Sequence, residues 1–499
     1  MPASLSPVSV LPVESLADAE ESGSQAPPES DKTFESSFQV LVAMQATRPN
    51  ILRGIPVHRF LQRAPRMWAK GDFKQLYGLS EVTTRLDEFW SHSWRTKAWL
   101  KYVNILYLHN SQPAFVVGML CASAALLFCR VGILPFYVDG APRSFWCSAA
   151  GAVGYYLTLL LWRRRKLAFL DISCINPTDD SLKVEGLISM GAFLKNSESL
   201  LVLWDETYVA RLWCMFEIAA FLRSRGLGVG TGKRLVVCPV FVGPALLVGQ
   251  LGASIFIIAT LRFSHAGLYA HLIFQAAVAF PSFLLLAYLV LAHYHNVEVV
   301  QDQIGSFTMK DSACYCCSRG HVKDGVEMIC DRVVIVRCIE AWFGSVEHFE
   351  TAVRGEVRRA MVHQLANNVF SYWRIVQGLS PIMWFHMDLL APDFTVHLSL
   401  VACTYVFTLL PIVALICLRF CHGLRKRFQG RLCCKLLLST VPLAVGILTY
   451  AIFFSVDKIL LPSLLDVQYF HNDPVPRTSI VLAISSVATV LLWWCLPSM

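Results

Sequence analysis

Between Cys314 and Arg332 the chain reads CYCCSRGHVKDGVEMICDR, which puts Cys314, Cys316, Cys317, His321 and Cys330 within seventeen positions. Thiolate and imidazole are the usual ligands of a tetrahedral zinc site, and a site made only of protein ligands plays a structural role. The spacing is not the paired C-x-x-C of common zinc modules. Three other fates therefore compete for these residues: thiols that stay reduced, thiols palmitoylated beside a membrane, and simple packing. The chain has no Walker loop, G-x-S-x-G, H-E-x-x-H or kinase signature. The GVGTG at Gly228 is too short to cradle a phosphate and suits a turn.

The elements that would position any chemistry lie upstream. Leu167 to Ile172 (LAFLDI) and Ser199 to Trp204 (SLLVLW) are apolar runs of strand length. Leu187 to Leu194 and Leu212 to Leu222 carry helical patterns between and after them. Strands that alternate with helices imply parallel βαβ units. Leu235 to Val242 (LVVCPVFV), rich in β-branched residues, is expected to add a further strand.

The detail of this stretch resembles the second half of a Toll/interleukin-1-receptor (TIR)-like domain. The matching features are a strand ending at Asp171, a polar loop, FLKNS before a buried strand, and then Tyr208 followed by RLWCMFE. DISCIN, from Asp171 to Asn176, is similar to the D-x-x-C-I-N of fungal heterokaryon-incompatibility domains. The most specific element is W-C-x-x-E: Trp213, Cys214 and Glu217. LDEFWSHSWR, Leu86 to Arg95, fits the first strand and its loop, and Thr96 to His109 fits the first helix. The resemblance implies an α/β flavodoxin-like parallel sheet. It also implies a candidate activity, since some TIR domains cleave NAD between nicotinamide and ribose with a Glu in the W-C-x-x-E helix. Carried over residue by residue, Glu217 is the candidate catalytic group, and Asp171 and Trp213 are the candidate NAD contacts. The chain departs from the family where SHSWR replaces a fuller polar and acidic loop. It departs again where Asn176 to Asp180 replaces the Pro-Gly of many members. The competing role for Glu217 is to brace its helix while Trp213 and Phe216 pack inward.

The composition is that of a membrane protein: 55% hydrophobic, 16% charged, mean hydropathy +0.51. Seven apolar runs approach the roughly 20 residues that cross a hydrocarbon core. They are Ala114–Leu134, Ser144–Trp162, Pro244–Leu261, Tyr269–Ala292, Phe394–Leu418, Leu436–Val456 and Thr478–Leu496. The first two fall between the first helix and the second strand of the TIR-like pattern. They are expected to form an inserted hairpin, because two crossings return the chain to the side where the sheet began. Arg163, Arg164, Arg165 and Lys166 follow the hairpin directly, so positive-inside bias puts the TIR-like domain in the cytosol. The Arg419 to Lys435 loop is basic too, which requires one further crossing before Phe394. Ile375 to Ala391 is the candidate, as a poor eighth span or as a re-entrant or interfacial segment. The net charge of +8 sits at membrane edges and calls for anionic lipid, not nucleic acid.

The expected layout has seven parts. Residues 1–36, with seven acidic residues and one Lys, form a disordered tail. Residues 37–110 hold an N-terminal region and the first part of the TIR-like domain, 111–165 the inserted hairpin, and 166–243 the rest of the domain. Residues 244–295 form a second hairpin, 296–374 a cytosolic helical region with the Cys/His cluster, and 375–499 the C-terminal spans. Within 296–374, Val346, Phe349, Val353, Val357 and Met361 make an apolar helical stripe, with Glu347, Arg354, Glu356, Arg358 and Arg359 opposite. The functional expectation is a multi-pass membrane protein, of seven or eight spans, whose TIR-like module signals or self-associates. It resembles membrane-embedded TIR-like families of protists. The alternatives are an NAD hydrolase, and a channel or transporter regulated by the TIR-like domain. Gln250, His271, Gln275 and His397 are the scattered polar groups inside spans that transport would have to use.

Overall fold

A computed structural model of the 499-residue chain describes residues 43–139, 141–224, 234–262, 268–314, 317, 320–323, 326–327, 330–457 and 474–495. The expected acidic tail, Gly228 and Cys316 lie outside the described residues. The chain divides into two compact units. The first is residues 1–98, 165–236 and 304–358; the second is residues 99–164, 237–303 and 359–499.

In chain order the elements begin with β1 (Arg53–Pro56), α1 (Val57–Lys70), α2 (Phe73–Tyr77), β2 (Glu81–Val82) and β3 (Leu86–His92). Next come α3 (Ala98–Arg130), the small hairpin β4 (Tyr137–Asp139) and β5 (Ala141–Arg143), and α4 (Trp146–Leu161). The chain continues with β6 (Leu167–Phe169), α5 (Asp171–Cys174), α6 (Asp180–Ile188), α7 (Met190–Lys195), β7 (Ser197–Trp204), α8 (Leu212–Ser224) and β8 (Arg234–Pro239). Then follow α9 (Val242–Arg262), α10 (Leu268–Gly305), the hairpin β9 (Val322–Lys323) and β10 (Val326–Glu327), α11 (Asp331–Phe343), α12 (Val346–Ala352) and α13 (Arg358–His363). The last helices are α14 (Tyr372–Gly378), α15 (Ser380–Leu390), α16 (Val396–Thr404), α17 (Leu410–Leu424), α18 (Leu432–Ser455) and α19 (Pro474–Val490).

Six strands form one mixed sheet in the order β2-β1-β6-β3-β7-β8. Strand β3 runs parallel to both β6 and β7, with Phe89 opposite Phe169 on one side and Leu200 on the other. Strands β1 and β2 add antiparallel pairs at one edge. All of β3 except Asp87 is buried, as a strand covered on both faces must be. Its aromatic residues fill the layers on each side. Phe89 stacks on Phe169 at 4.5 Å, and Trp90 meets Phe60 of α1 edge-on at 5.2 Å. Glu88, buried in the same strand, accepts from Lys166 Nζ at 2.7 Å. It also accepts from Trp90 Nε1 at 2.9 Å, so its charge is paired.

Two expected boundaries differ. The second strand ends at Phe169, not at Asp171, because Asp171 already opens a helical turn. The Asp171 Oδ1 accepts the Ile172 N–H at 2.7 Å. The expected first helix and first span are a single helix, α3, of 33 residues. The polar residues that interrupt its apolar run are buried and bonded within the second unit. Asn104 accepts the Gly243 N–H at 2.9 Å. Asn110 donates to the Leu159 carbonyl at 2.8 Å.

Among the described residues, six helices are long and apolar enough to cross a membrane: Ala98–Arg130, Val242–Ala259, Phe280–Gly305, Val396–Arg427, Leu432–Ser455 and Pro474–Cys495. Leu437, Ile447, Leu448 and Ile452 of α18 face outward, a surface suited to lipid and not to water. The second arm of the expected hairpin, α4, is a shorter apolar helix of 16 residues. It packs on α3 and α15 through residues without side chains. A Cβ at Gly151 would stand 2.6 Å from the Trp384 ring, and one at Gly154 would stand 2.6 Å from Cys121 Sγ.

The core of the Ile375–Ala391 segment is α15, a helix of 11 residues. At about 1.5 Å per residue it reaches only about 16 Å, too short to cross a bilayer by itself. Its Asp388 is buried. The Asp388 carboxylate accepts from Ser144 Oγ at 2.8 Å. It also accepts from the Cys147 N–H at 2.9 Å and the Ser148 N–H at 2.9 Å. Asp388 therefore caps α4 from another helix.

The apolar stripe of the 296–374 region extends further than its spacing predicts. In the first unit Phe349, Val353 and Val357 are buried at steps of four. In the second unit Met361, Leu365 and Val369 repeat the pattern. An α-helix turns about 40° too far for such a spacing at every step. A wide π-helical turn in each unit, Val353–Val357 and Gln364–Asn368, takes up the excess.

Candidate functional site

The parallel strands β3 and β7 end side by side, with His92 opposite Leu203. Ser91, at the end of β3, hydrogen-bonds to Glu217 Oε2 on α8 and to the Tyr208 hydroxyl in the loop before it. The Trp213 side chain also hydrogen-bonds Glu217. Tyr208 reaches the Cys214 carbonyl at 3.4 Å. Cys214 Sγ donates to the His92 carbonyl at 3.7 Å. Next to this group, Ser93 pairs with Thr207 at 2.7 Å. Asp205 accepts from Thr96 Oγ1 and, at 2.7 Å, from the Thr207 N–H. These bonds fasten the strand ends to the start of α8.

Trp213 is therefore brought to Glu217. Asp171 acts on Glu217 through its charge. Glu217 is 5% exposed, and Tyr208 and Cys214 are more deeply enclosed. Burial pushes the Glu217 carboxyl up to about 8; the Asp171 charge adds to this, and the Ser91 and Trp213 hydrogen bonds oppose it. At neutral pH Glu217 is thus mainly a neutral acid shared among hydroxyl and indole partners. Burial also raises the Tyr208 phenol and the Cys214 thiol well above their ordinary values, so neither supplies a nucleophile. The Asn176–Asp180 loop is closed on itself. Asn176 Oδ1 accepts the Thr178 N–H at 2.9 Å. The same oxygen accepts the Asp179 N–H at 3.2 Å. Asp179 in turn caps α6 by accepting the Leu182 N–H at 3.0 Å.

Sequence reasoning misses Ser91 and Tyr208 as members of this site. The signal is present in the chain. Ser91 opens the polar SHS at the end of an otherwise apolar strand, and Tyr208 is the aromatic residue just before RLWCMFE.

The second cluster is partly assembled. Cys317, His321 and Cys330 bring one ligand atom each to within 4.8 Å of one another. Cys317 Sγ and Cys330 Sγ are 3.6 Å apart. The β9–β10 hairpin lies between His321 and Cys330 and returns the chain to Cys317. Cys314 is buried and is not one of the three. Its neighbour Ala313 pairs with the loop before α8, accepting from Leu212 N at 3.2 Å and donating to Ala210 O at 2.7 Å. Helix α11 begins directly after Cys330. Its Trp342 stacks on Phe216 of α8, 5.2 Å between centroids and 11° from parallel.

In the second unit, polar groups of the apolar helices meet one another. His397 bonds Thr478 at 2.8 Å. Gln250 bonds Ser380 at 2.6 Å, and Thr408 bonds Ser485 at 2.8 Å. The side chains of His271 and Gln275 lie outside the described ones.

No protein-family model, curated protein or solved structure matches this chain.

Proposed function

We propose that this chain is a multi-pass membrane protein that carries a TIR-like interaction module on the cytosolic side, and that the module acts by binding and not by catalysis. The observation that carries this reading is the state of Glu217. A carboxylate that orients a ribose or stabilises an oxocarbenium ion must be ionised and must face its substrate. Glu217 is enclosed, held neutral by burial, and committed to Ser91 and Trp213. A residue so placed sets the angle between α8 and the strand ends.

The strand order supports the TIR-like part. Counted along the chain from Leu86, the four strands β3, β6, β7 and β8 lie in the order second-first-third-fourth. That is how the flavodoxin-like order 2-1-3-4-5 begins. The Arg163–Lys166 cluster directly after α4 supports the cytosolic side. The pairwise bonding of polar groups among the apolar helices supports ordinary helix packing over a transport path.

NAD cleavage is the second reading, favoured by Glu217 and Trp213 meeting near the carboxyl end of a parallel strand, where the Asp171 charge acts on Glu217. The full chain, reconstituted in liposomes at several surface densities and incubated with NAD, separates the two. The binding reading expects no nicotinamide release and density-dependent self-association measured by crosslinking. Release that disappears in Glu217→Ala would replace it with the hydrolase.

A further inference from the structure

We propose that Cys317, His321 and Cys330, the ligands found among the described residues, hold a zinc ion, and that this ion fastens the segment before α11 over α8. The inference stands on different residues from the TIR-like reading and does not depend on it.

The geometry is that of ligands around one metal. Zinc–sulfur bonds of about 2.3 Å at a tetrahedral angle set two thiolates roughly 3.8 Å apart. Cys317 Sγ and Cys330 Sγ are 3.6 Å apart. A ring nitrogen of His321 completes a group whose atoms all lie within 4.8 Å. A set of two sulfurs and one imidazole selects zinc over magnesium or calcium. The His321 Nε2 atom is buried and has no hydrogen-bond partner among the described residues. His321 also adopts φ 60°, directly after Gly320 at φ 64°. A left-handed residue other than glycine persists where its surroundings hold it, and a metal bond from its ring would do so.

Binding would release the two thiol protons to solvent and leave each sulfur as a thiolate on the metal. The three ligands among the described residues account for three of the four positions of a tetrahedral site. The structural consequence follows from the neighbours. Ala313, shortly before Cys317, is paired to the loop that starts α8. Cys330 immediately precedes α11, which stacks Trp342 on Phe216. One ion would therefore join two segments that both rest on the Glu217 helix.

The test uses the full chain purified in detergent under reducing conditions, with its zinc measured by atomic emission. One zinc per chain is expected. It should be lost in Cys317→Ser, Cys330→Ser and His321→Ala. It should be kept in His321→Cys, which restores a ligand, and in Cys433→Ser, an exposed thiol elsewhere. Cobalt exchanged into the unaltered chain should show a thiolate charge-transfer band and intense tetrahedral d–d bands, a readout that needs no variant to fold. Metal-free protein, full retention of zinc in Cys317→Ser and Cys330→Ser, or a Cys317–Cys330 disulfide trapped by rapid thiol blocking would each overturn the proposal.

Discussion

Arg164 Nη1 donates a hydrogen bond to the His109 carbonyl oxygen at 3.0 Å, and His109 lies one helical turn before Pro113. Proline has no N–H to give to that carbonyl, so the guanidinium takes the place of the missing helix bond. This explains how α3 passes through Pro113 without ending. Arg164→Ala should lower the thermal stability of the detergent-solubilised chain, by on the order of 1–3 kcal/mol for a lost charge-assisted bond. In a Pro113→Ala background, where residue 113 regains its N–H, the same change should cost clearly less. Equal costs in both backgrounds would show that Arg164 acts elsewhere.

Asp388 serves α4 as a cap that comes from another helix. Asp388→Ala leaves two N–H groups and Ser144 without their acceptor and should cost about 2 kcal/mol or more. Asp388→Asn keeps one acceptor oxygen and should cost less. Thermal unfolding of the two variants, compared with the parent, gives the order directly.

Gly151 and Gly249 make a matched pair. A Cβ at Gly151 meets the Trp384 ring, whereas nothing lies within 4 Å of one at Gly249. Gly151→Ala should destabilise by about 1–3 kcal/mol through overpacking, and Gly249→Ala should be neutral or slightly stabilising. A Gly151→Ala variant as stable as its parent would mean that α4 and α15 are not packed closely there.

Glu217 makes the stability of the sheet unit depend on pH. Its folded pKa of about 8 lies above the ordinary 4.5, so the folded state binds the extra proton between those values. Its contribution is fully present below pH 4.5, falls as pH rises, and is lost by the time pH passes 8. Glu217→Gln mimics the neutral acid and should flatten that part of the profile with little loss in mild acid. Glu217→Ala should destabilise at every pH, because it strips partners from Ser91 and Trp213. Melting temperatures of all three proteins, measured from mildly acidic to mildly alkaline pH, test the sign.

The proposed cytosolic placement of the sheet is tested by a glycosylation acceptor inserted at Asn196, at the turn between α7 and β7. It should remain unglycosylated while a cytosolic probe labels the same site.

Strands β6 and β7 are legible because a strand buried on both faces tends to be a nearly continuous apolar run, whereas β3 carries Asp87, Glu88, Ser91 and His92 and is legible only through its resemblance to a first strand. Strand β3 falls inside the Leu86 to Arg95 stretch that fits a first strand and its loop, and β7 begins at Ser197, slightly earlier than its apolar run. Strands β1 and β2 escape a sequence reading. They are short edge pairs, and a strand as brief as Glu81–Val82 has no pattern to detect. The break expected at His109 reflects polar residues that a sequence reading assigns to a helix end. Their partners, such as Leu159 for Asn110, are distant in the chain and invisible without the fold. At the site, the W-C-x-x-E spacing alone sets Trp213 and Glu217 one helical turn apart, and they hydrogen-bond. Whether such a carboxyl is open or sealed depends on Ser91, 126 positions away, and no local pattern encodes that.

The wide turn at Gln364–Asn368 holds one residue more than an α-turn needs, and so keeps Leu365 and Val369 in register. Such a turn is an insertion that the helix has absorbed without shifting its buried seam. Removing the exposed Asn368 alone would tighten the turn and rotate whatever follows it by about 100°. Val369 would then swing out of the core. Phe370, whose ring meets His293 edge-on at 5.6 Å, would lose that partner. A one-residue deletion here is thus a rotation, far more disruptive than a point substitution, even though the side chain it removes faces outward.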